Sequence, residues 1–213
     1  WGSMRALGGP QTYLLGGAFN CGKAQPGQVA AVSHGCPAAV FENINILNTV
    51  QEFDPLANTW TARAPMPTAR VHLKLSLAGD GRLYAVGGLS SFGPPEAITN
   101  AVEAFTPPSS GAGSWSTVSS TPSKLWQTGL TAGPDGHLYT TGGLNETTDG
   151  IIGTREYDQP LNVWSSANGQ PVRASMPTAR YGHGTGLVGA YLYAAGGSTV
   201  DGTAQPVVER AVI

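Results

Sequence analysis

The sequence predicts an all-β fold: tandem four-stranded antiparallel sheets set around a common axis, as in a β-propeller. Three observations carry this. A Gly-Gly dipeptide closes four similar apolar–Tyr segments. The pentapeptide Met-Pro-Thr-Ala-Arg occurs twice, at Met66–Arg70 and Met176–Arg180. Between these markers, apolar and polar residues alternate with the two-residue period of strands.

The elements follow in a fixed order. The Gly-Gly segments are "TYLLGG" (Thr12–Gly17), "LYAVGG" (Leu83–Gly88), "LYTTGG" (Leu138–Gly143) and "LYAAGG" (Leu192–Gly197). After each comes a polar loop, then a strand-like piece: "VQEFDP", "AVEAFTP", "TREYDQP" and "PVVERAV". A Trp follows the first three, at Trp60, Trp115 and Trp164. Then comes a Pro-containing turn, which is "TPSKL" at Thr121–Leu125 in its degenerate copy. Pro67, Pro122 and Pro177 are evenly spaced, so the duplicated pentapeptide is one element of a unit of about 50 residues. The stretch "VHLKLSLAG" after the first Arg alternates as an inner strand should. Each unit thus holds four short strands joined by turns. One such sheet cannot bury both its faces, so neighbouring units must stack on it.

Gly-Gly after an apolar–Tyr strand, then "FDP", then Trp, then "MPTAR" resembles the kelch repeat. The resemblance covers nearly the whole chain, residues 1–213, as a single domain; residues 18–46 read as an insertion in the first repeat. It implies a kelch-type propeller of four-stranded antiparallel blades, with the strand after the Arg innermost and the Trp on the outermost. About four blades are encoded: three with four strands, the first slightly clipped, and three strands of a fourth. An arc of this kind is expected to belong to a longer protein, to be completed by self-association, or to close as an unusual four-bladed ring. The tyrosines before Gly-Gly and the outer-strand tryptophans are expected to pack between blades.

Composition narrows the function. Charged residues make up 11%, against about 25% in an average globular protein. The formal net charge is −2, with three lysines and no basic run, which argues against nucleic acid as a partner. No stretch approaches the roughly 18 consecutive apolar residues of a membrane helix. Cys21 and Cys36 both lie in the insertion. They form either a disulfide, worth about 3 kcal/mol by loop-closure entropy, or two unpaired thiols. Sparse charge and abundant Ser, Thr and Gly point to an extracellular or periplasmic setting. The chain reads as a mature form or a fragment.

The candidate ligand-facing residues are Arg70, Trp126 and Arg180 at the inner-strand starts, and Ser90, Asn145 and Ser198 in the loops after Gly-Gly. The kelch resemblance implies that the Arg faces the mouth of the central channel; the alternative is a structural Arg bonded to loop carbonyls. Leu125 breaks the series of arginines and places Trp126 beside it. An Arg–Trp–Arg rim suits a ligand with a polar group and a flat or apolar face. His72 and His183 lie in inner strands but have no third ligand, so no metal site is assigned. His137 is expected to be exposed in its turn. The acids Glu96, Glu146 and Asp149 read as solvated loop charges, and "NET" at Asn145–Thr147 matches the glycosylation acceptor pattern.

The expected function is an extracellular binding or scaffold module that recognises a protein, peptide or glycan through the propeller rim. The kelch family also includes a copper oxidase acting on galactose and sugar-acid epimerases, so a carbohydrate-active enzyme is the alternative. A purely structural repeat block is the third reading. No catalytic residue and no cofactor are assigned.

Overall fold

The computed structural model describes residues 4–8, 11–15, 46–91, 97–147, 149–165 and 173–213, with backbone alone for the first two segments. The insertion around Cys21 and Cys36, and the loop acid Glu96, lie outside the described residues.

Among the described residues, fifteen strands form four antiparallel sheets. The first holds β1 (Met4–Gly8), β2 (Gln11–Leu15), β3 (Val50–Asp54) and β4 (Thr59–Arg63). The second holds β5 (Lys74–Leu77), β6 (Leu83–Val86), β7 (Val102–Thr106) and β8 (Ser114–Thr117). The third holds β9 (Gly129–Ala132), β10 (Leu138–Thr141), β11 (Thr154–Asp158) and β12 (Val163–Trp164). The fourth holds β13 (Gly184–Val188), β14 (Tyr191–Ala195) and β15 (Val208–Val212). Each sheet is a meander in chain order, because consecutive short strands pair across tight turns. The first strands lie side by side in the series β1, β5, β9, β13, which makes them the inner strands of four successive blades. Among the described residues the series stays open, since β13 does not pack on β1 as successive inner strands pack on each other. No described helix is long and apolar enough to cross a membrane.

The core sits in the seams between blades. Between blades 1 and 2, Val50 and Met66 meet Leu73, Leu75, Leu83, Ala85 and Phe105. Between blades 2 and 3, one face of β6 and β7 meets the facing side of blade 3. Tyr84, Val86, Val102 and Ala104 pack there with Leu125, Leu138, Tyr157 and Trp164. Tyr84 and Tyr157 approach edge-on at 5.7 Å between ring centroids. Strand alternation produces this: residues one apart point to opposite seams, so Ala85 serves one and Tyr84 the other.

The outer tryptophans tie each blade to the end of the one before it. Trp115 Nε1 donates to the Ala64 carbonyl at 2.8 Å, and Trp164 Nε1 to the Ser119 carbonyl at 2.9 Å. Trp164 is fully buried. Trp60 departs from the expectation of inter-blade packing: it is 51% exposed and, among the described residues, stacks on Phe53 of its own blade, 4.9 Å away. The reason is positional, since no described sheet precedes blade 1. At the other end, Val188, Val208 and Val212 stand exposed on blade 4 for the same reason.

The Gly-Gly pair is required by contact as well as by backbone angle. Gly87 has φ +62, and a Cβ there would strike the carbonyl oxygen of Leu125, at the start of the next blade. Gly81 has a similar φ of +78 but faces open space. Gly87→Ala is therefore expected to lower stability by more than about 2 kcal/mol, against about 1 kcal/mol for Gly81→Ala. Urea unfolding of the two variants checks this, and equal effects would show that the seam tolerates the methyl group.

Candidate ligand-facing mouth of the blade arc

Inner strands and Gly-Gly loops converge at one end of the blades. There the chain makes the same bend three times: Val71–His72–Leu73, Trp126–Gln127–Thr128 and Tyr181–Gly182–His183. The central residue of each is left-handed, with φ 56 at His72, 51 at Gln127 and 66 at Gly182. These bends link the blades through backbone. Gln127 N–H donates to the His72 carbonyl at 3.2 Å, and Gly182 N–H to the Gln127 carbonyl at 2.9 Å. The residue before each central position bridges to the Gly-Gly loop, as Val71 to Leu89, Trp126 to Leu144 and Tyr181 to Ser198. The mouth is thus a rigid backbone frame.

Its half-buried side chains are His72, Trp126, Gln127 and Tyr181. Trp126 packs against Val71, Leu89 and Ile98, and meets the His72 ring edge-on at 5.5 Å. Its indole N–H is buried and has no hydrogen-bond partner among the described residues.

The two arginines expected at this rim are inside the blades. Both are 0% exposed. Arg70 Nη1 donates to the Gly87 and Ala101 carbonyls, each at 2.9 Å, and Nη2 lies 2.7 Å from Glu103 Oε2. Thr68 donates to the other oxygen of Glu103 at 2.7 Å. Arg180 repeats the arrangement: Nη1 donates to the Gly196 and Val207 carbonyls at 3.1 and 3.0 Å, and Nη2 lies 2.9 Å from Glu209. Their ligand contact is therefore replaced by a structural one, since every described donation of these guanidinium groups is made within the blade. Burial lowers the pKa of Arg70, and Glu103 opposes that shift.

The loop residues are likewise engaged locally. Ser90 Oγ donates to the Ala97 carbonyl at 3.1 Å. Asn145 Oδ1 accepts from Thr147 N–H and Asp149 N–H, at 3.0 and 2.8 Å, and so closes its own loop. Ser198 is half-buried and pairs through its backbone with Tyr181. Of the six expected residues, only Trp126 presents a ring at the mouth.

Below the mouth, His183 is 2% exposed and neither ring nitrogen has a well-formed hydrogen bond. Its ring lies against Gly129 and Gly142 of blade 3, where any Cβ would collide with it. Desolvation pushes its pKa down to about 4, with the Lys74 and Arg180 charges adding to the effect. Burial also lowers His72, to about 4, and Lys74.

Sequence reasoning missed a cluster at the opposite end of blade 3. Asp135, His137 and Glu156 place ligand-type atoms within 4.8 Å of one another. His137 is half-buried, not exposed, with Nδ1 2.6 Å from Glu156. Arg173 also pairs with Glu156, at 2.7 Å, and Tyr139 donates to Asp135 at 2.5 Å. Blade 2 carries the counterpart: Tyr84 donates to Asp80 at 2.6 Å, and Arg82 pairs with the same carboxylate at 2.8 Å. The repeated Asp-Gly-x-Leu-Tyr pattern was the available signal. Arg173 already supplies positive charge to Glu156, and the His137 ring lies within hydrogen-bond distance of it, so the cluster reads as a turn-locking polar network.

Two outcomes follow. Arg70→Leu leaves Glu103 buried without its cation and is expected to cost about 3–5 kcal/mol, part of it recovered in Arg70→Leu/Glu103→Leu, where the Gly87 and Ala101 carbonyls still lack a donor. Urea midpoints of the two variants check this. For His183, the unfolded ring has the ordinary pKa of 6.5 and takes up a proton before the folded one does. Its contribution to stability is therefore complete above pH 6.5 and declines as pH falls towards 4, by up to about 3 kcal/mol. His183→Leu, which copies the equivalent Leu73, should remove its part of that pH dependence and leave the part due to His72.

No protein-family model matches the chain. Kelch-like protein 35 of Mus musculus is 30% identical over 132 residues, 62% of this chain; the match spans 20% of that relative's length. The structure of YjhT superposes with a TM-score of 0.71 at 16% identity, covering 99% of this chain and 62% of that one. The repeat order, the side-by-side inner strands and these likenesses agree: the chain folds as a partial kelch-type β-propeller.

Proposed function

We propose that the chain is the binding part of a scaffold protein and recognises a protein or peptide partner at the mouth of its blade arc. The observation that carries this is Trp126. It is a half-buried indole on a rigid backbone frame, packed edge-on against the His72 ring. An indole of this kind offers a flat apolar surface at low conformational cost, the sort of group that anchors interfaces. His72, Gln127 and Tyr181 add polar groups around it. Likeness to a Kelch-like protein supports a protein partner; a glycan is the finer alternative, since sugars also stack on indole faces. The setting we assign is extracellular or periplasmic, on the sparse charge and the cysteine pair of the insertion.

A peptide array and a glycan array, each probed with the wild type and with Trp126→Ala, test the reading. Binding to peptides is expected, with a loss of about tenfold or more in the variant. Peptide binding that survives Trp126→Ala unchanged removes the mouth as the site, and binding confined to the glycan array replaces the partner class.

A further inference from the structure

The register of the blades makes their seams directly comparable. Ala85 pairs with Glu103, Thr140 with Arg155 and Ala194 with Glu209. Arg155 therefore occupies the place of the two glutamates. In the linker before each blade, Leu125 stands where Arg70 and Arg180 stand, and Ser123 stands where Thr68 stands. Blades 2 and 4 each hold a closed Arg–Glu pair. Blade 3 holds the inverse: an aliphatic residue in the cation's place and a cation in the anion's place.

Two polar groups at this seam consequently lack a partner among the described residues. Arg155 is half-buried, and no carboxylate among the described residues pairs with it. Burial lowers its pKa, and no anion opposes that shift. Ser123 Oγ is buried and has no hydrogen-bond partner among the described residues, whereas Thr68 Oγ1 in the equivalent position lies 2.7 Å from a Glu103 oxygen. Lys124, the neighbouring cation, is already paired with Glu146 at 3.2 Å. The floor of the seam is apolar, formed by Val86, Val102 and Leu125.

We propose that Arg155 and Ser123 form a carboxylate-binding site in the seam between blades 2 and 3, separate from the mouth groups. The guanidinium offers its two-pronged N–H face to the carboxylate, and the Ser123 hydroxyl donates a further bond. The apolar floor strengthens the pair by lowering the local dielectric. The incoming group replaces the carboxylate that blades 2 and 4 supply from their own third strand. Its source is either the Asp or Glu side chain of a docking segment or a free small carboxylate.

The test uses a blocked Ala-Ala-Glu-Ala-Ala peptide, its Gln twin, and sodium acetate, all at ionic strength matched with sodium chloride. Binding is read by calorimetry and by the Arg155 Nε–H NMR resonance. Two variants accompany the wild type: Arg155→Gln, and Leu125→Arg/Arg155→Glu, which rebuilds the internal pair of blades 2 and 4. The Glu peptide is expected to bind the wild type about tenfold or more tightly than it binds either variant, and than the Gln twin binds the wild type. The rebuilt variant should keep an unfolding midpoint at or above the wild type, so that its loss of binding is not loss of fold. Acetate binding with the same dependence on Arg155 supports the site and identifies a free carboxylate as its source. Equal binding by wild type and both variants, or a signal no different from chloride alone, overturns the proposal.

Discussion

A four-stranded sheet has two faces, and this one buries both only by lying between two others. That constraint organises the molecule. It explains why side chains alternate between two seams along each strand, as Ala85 and Tyr84 do. It explains why glycine stands where the second strand ends, since Leu125 of the next blade arrives there with no room for a methyl group. It also explains the exceptions at the ends. Trp60 and the valines of blade 4 are exposed because the described chain places no sheet against them.

The buried arginines extend the same logic to polar groups. Strands that end in a tight Gly-Gly bend leave carbonyls turned inward, and a buried carbonyl needs a donor. Arg70 meets the Gly87 and Ala101 carbonyls with one nitrogen and Glu103 with another. In blade 3, where Leu125 replaces the arginine, Thr128 Oγ1 takes over and lies 2.9 Å from the Gly142 carbonyl. The substitution is thus accommodated at the backbone, but its charge counterpart is not, which leaves Arg155 without an anion among the described residues.

Function belongs to what this frame leaves over. The mouth is held by backbone bonds from His72 to Gln127 to Gly182, so its frame does not depend on side-chain bonds. A half-buried indole on such a frame loses little conformational freedom on binding, which favours affinity. The loop residues Ser90 and Asn145 contribute differently, since their polar groups hold the loops in shape.

Much of the fold was legible in the sequence because its signals are local. Strand alternation, the Gly-Gly dipeptides and the repeated Pro turn depend only on neighbours in the chain, so strand order and blade number followed from spacing. Burial is not local. Arg70 stands just before one of the equivalent bends and Trp126 opens another, and both looked like rim residues. Only packing showed that the arginine turns inward to carbonyls far along the chain, while the tryptophan stays at the mouth. The cluster of Asp135, His137 and Glu156 was hidden for the same reason, because Glu156 joins it from a different strand. The sequence by itself determined the repeat, the strands and the glycine positions, through short-range sterics and the two-residue period. The tertiary structure alone decided which charges are paired and which remain open, because pairing depends on what the neighbouring blade brings to the seam.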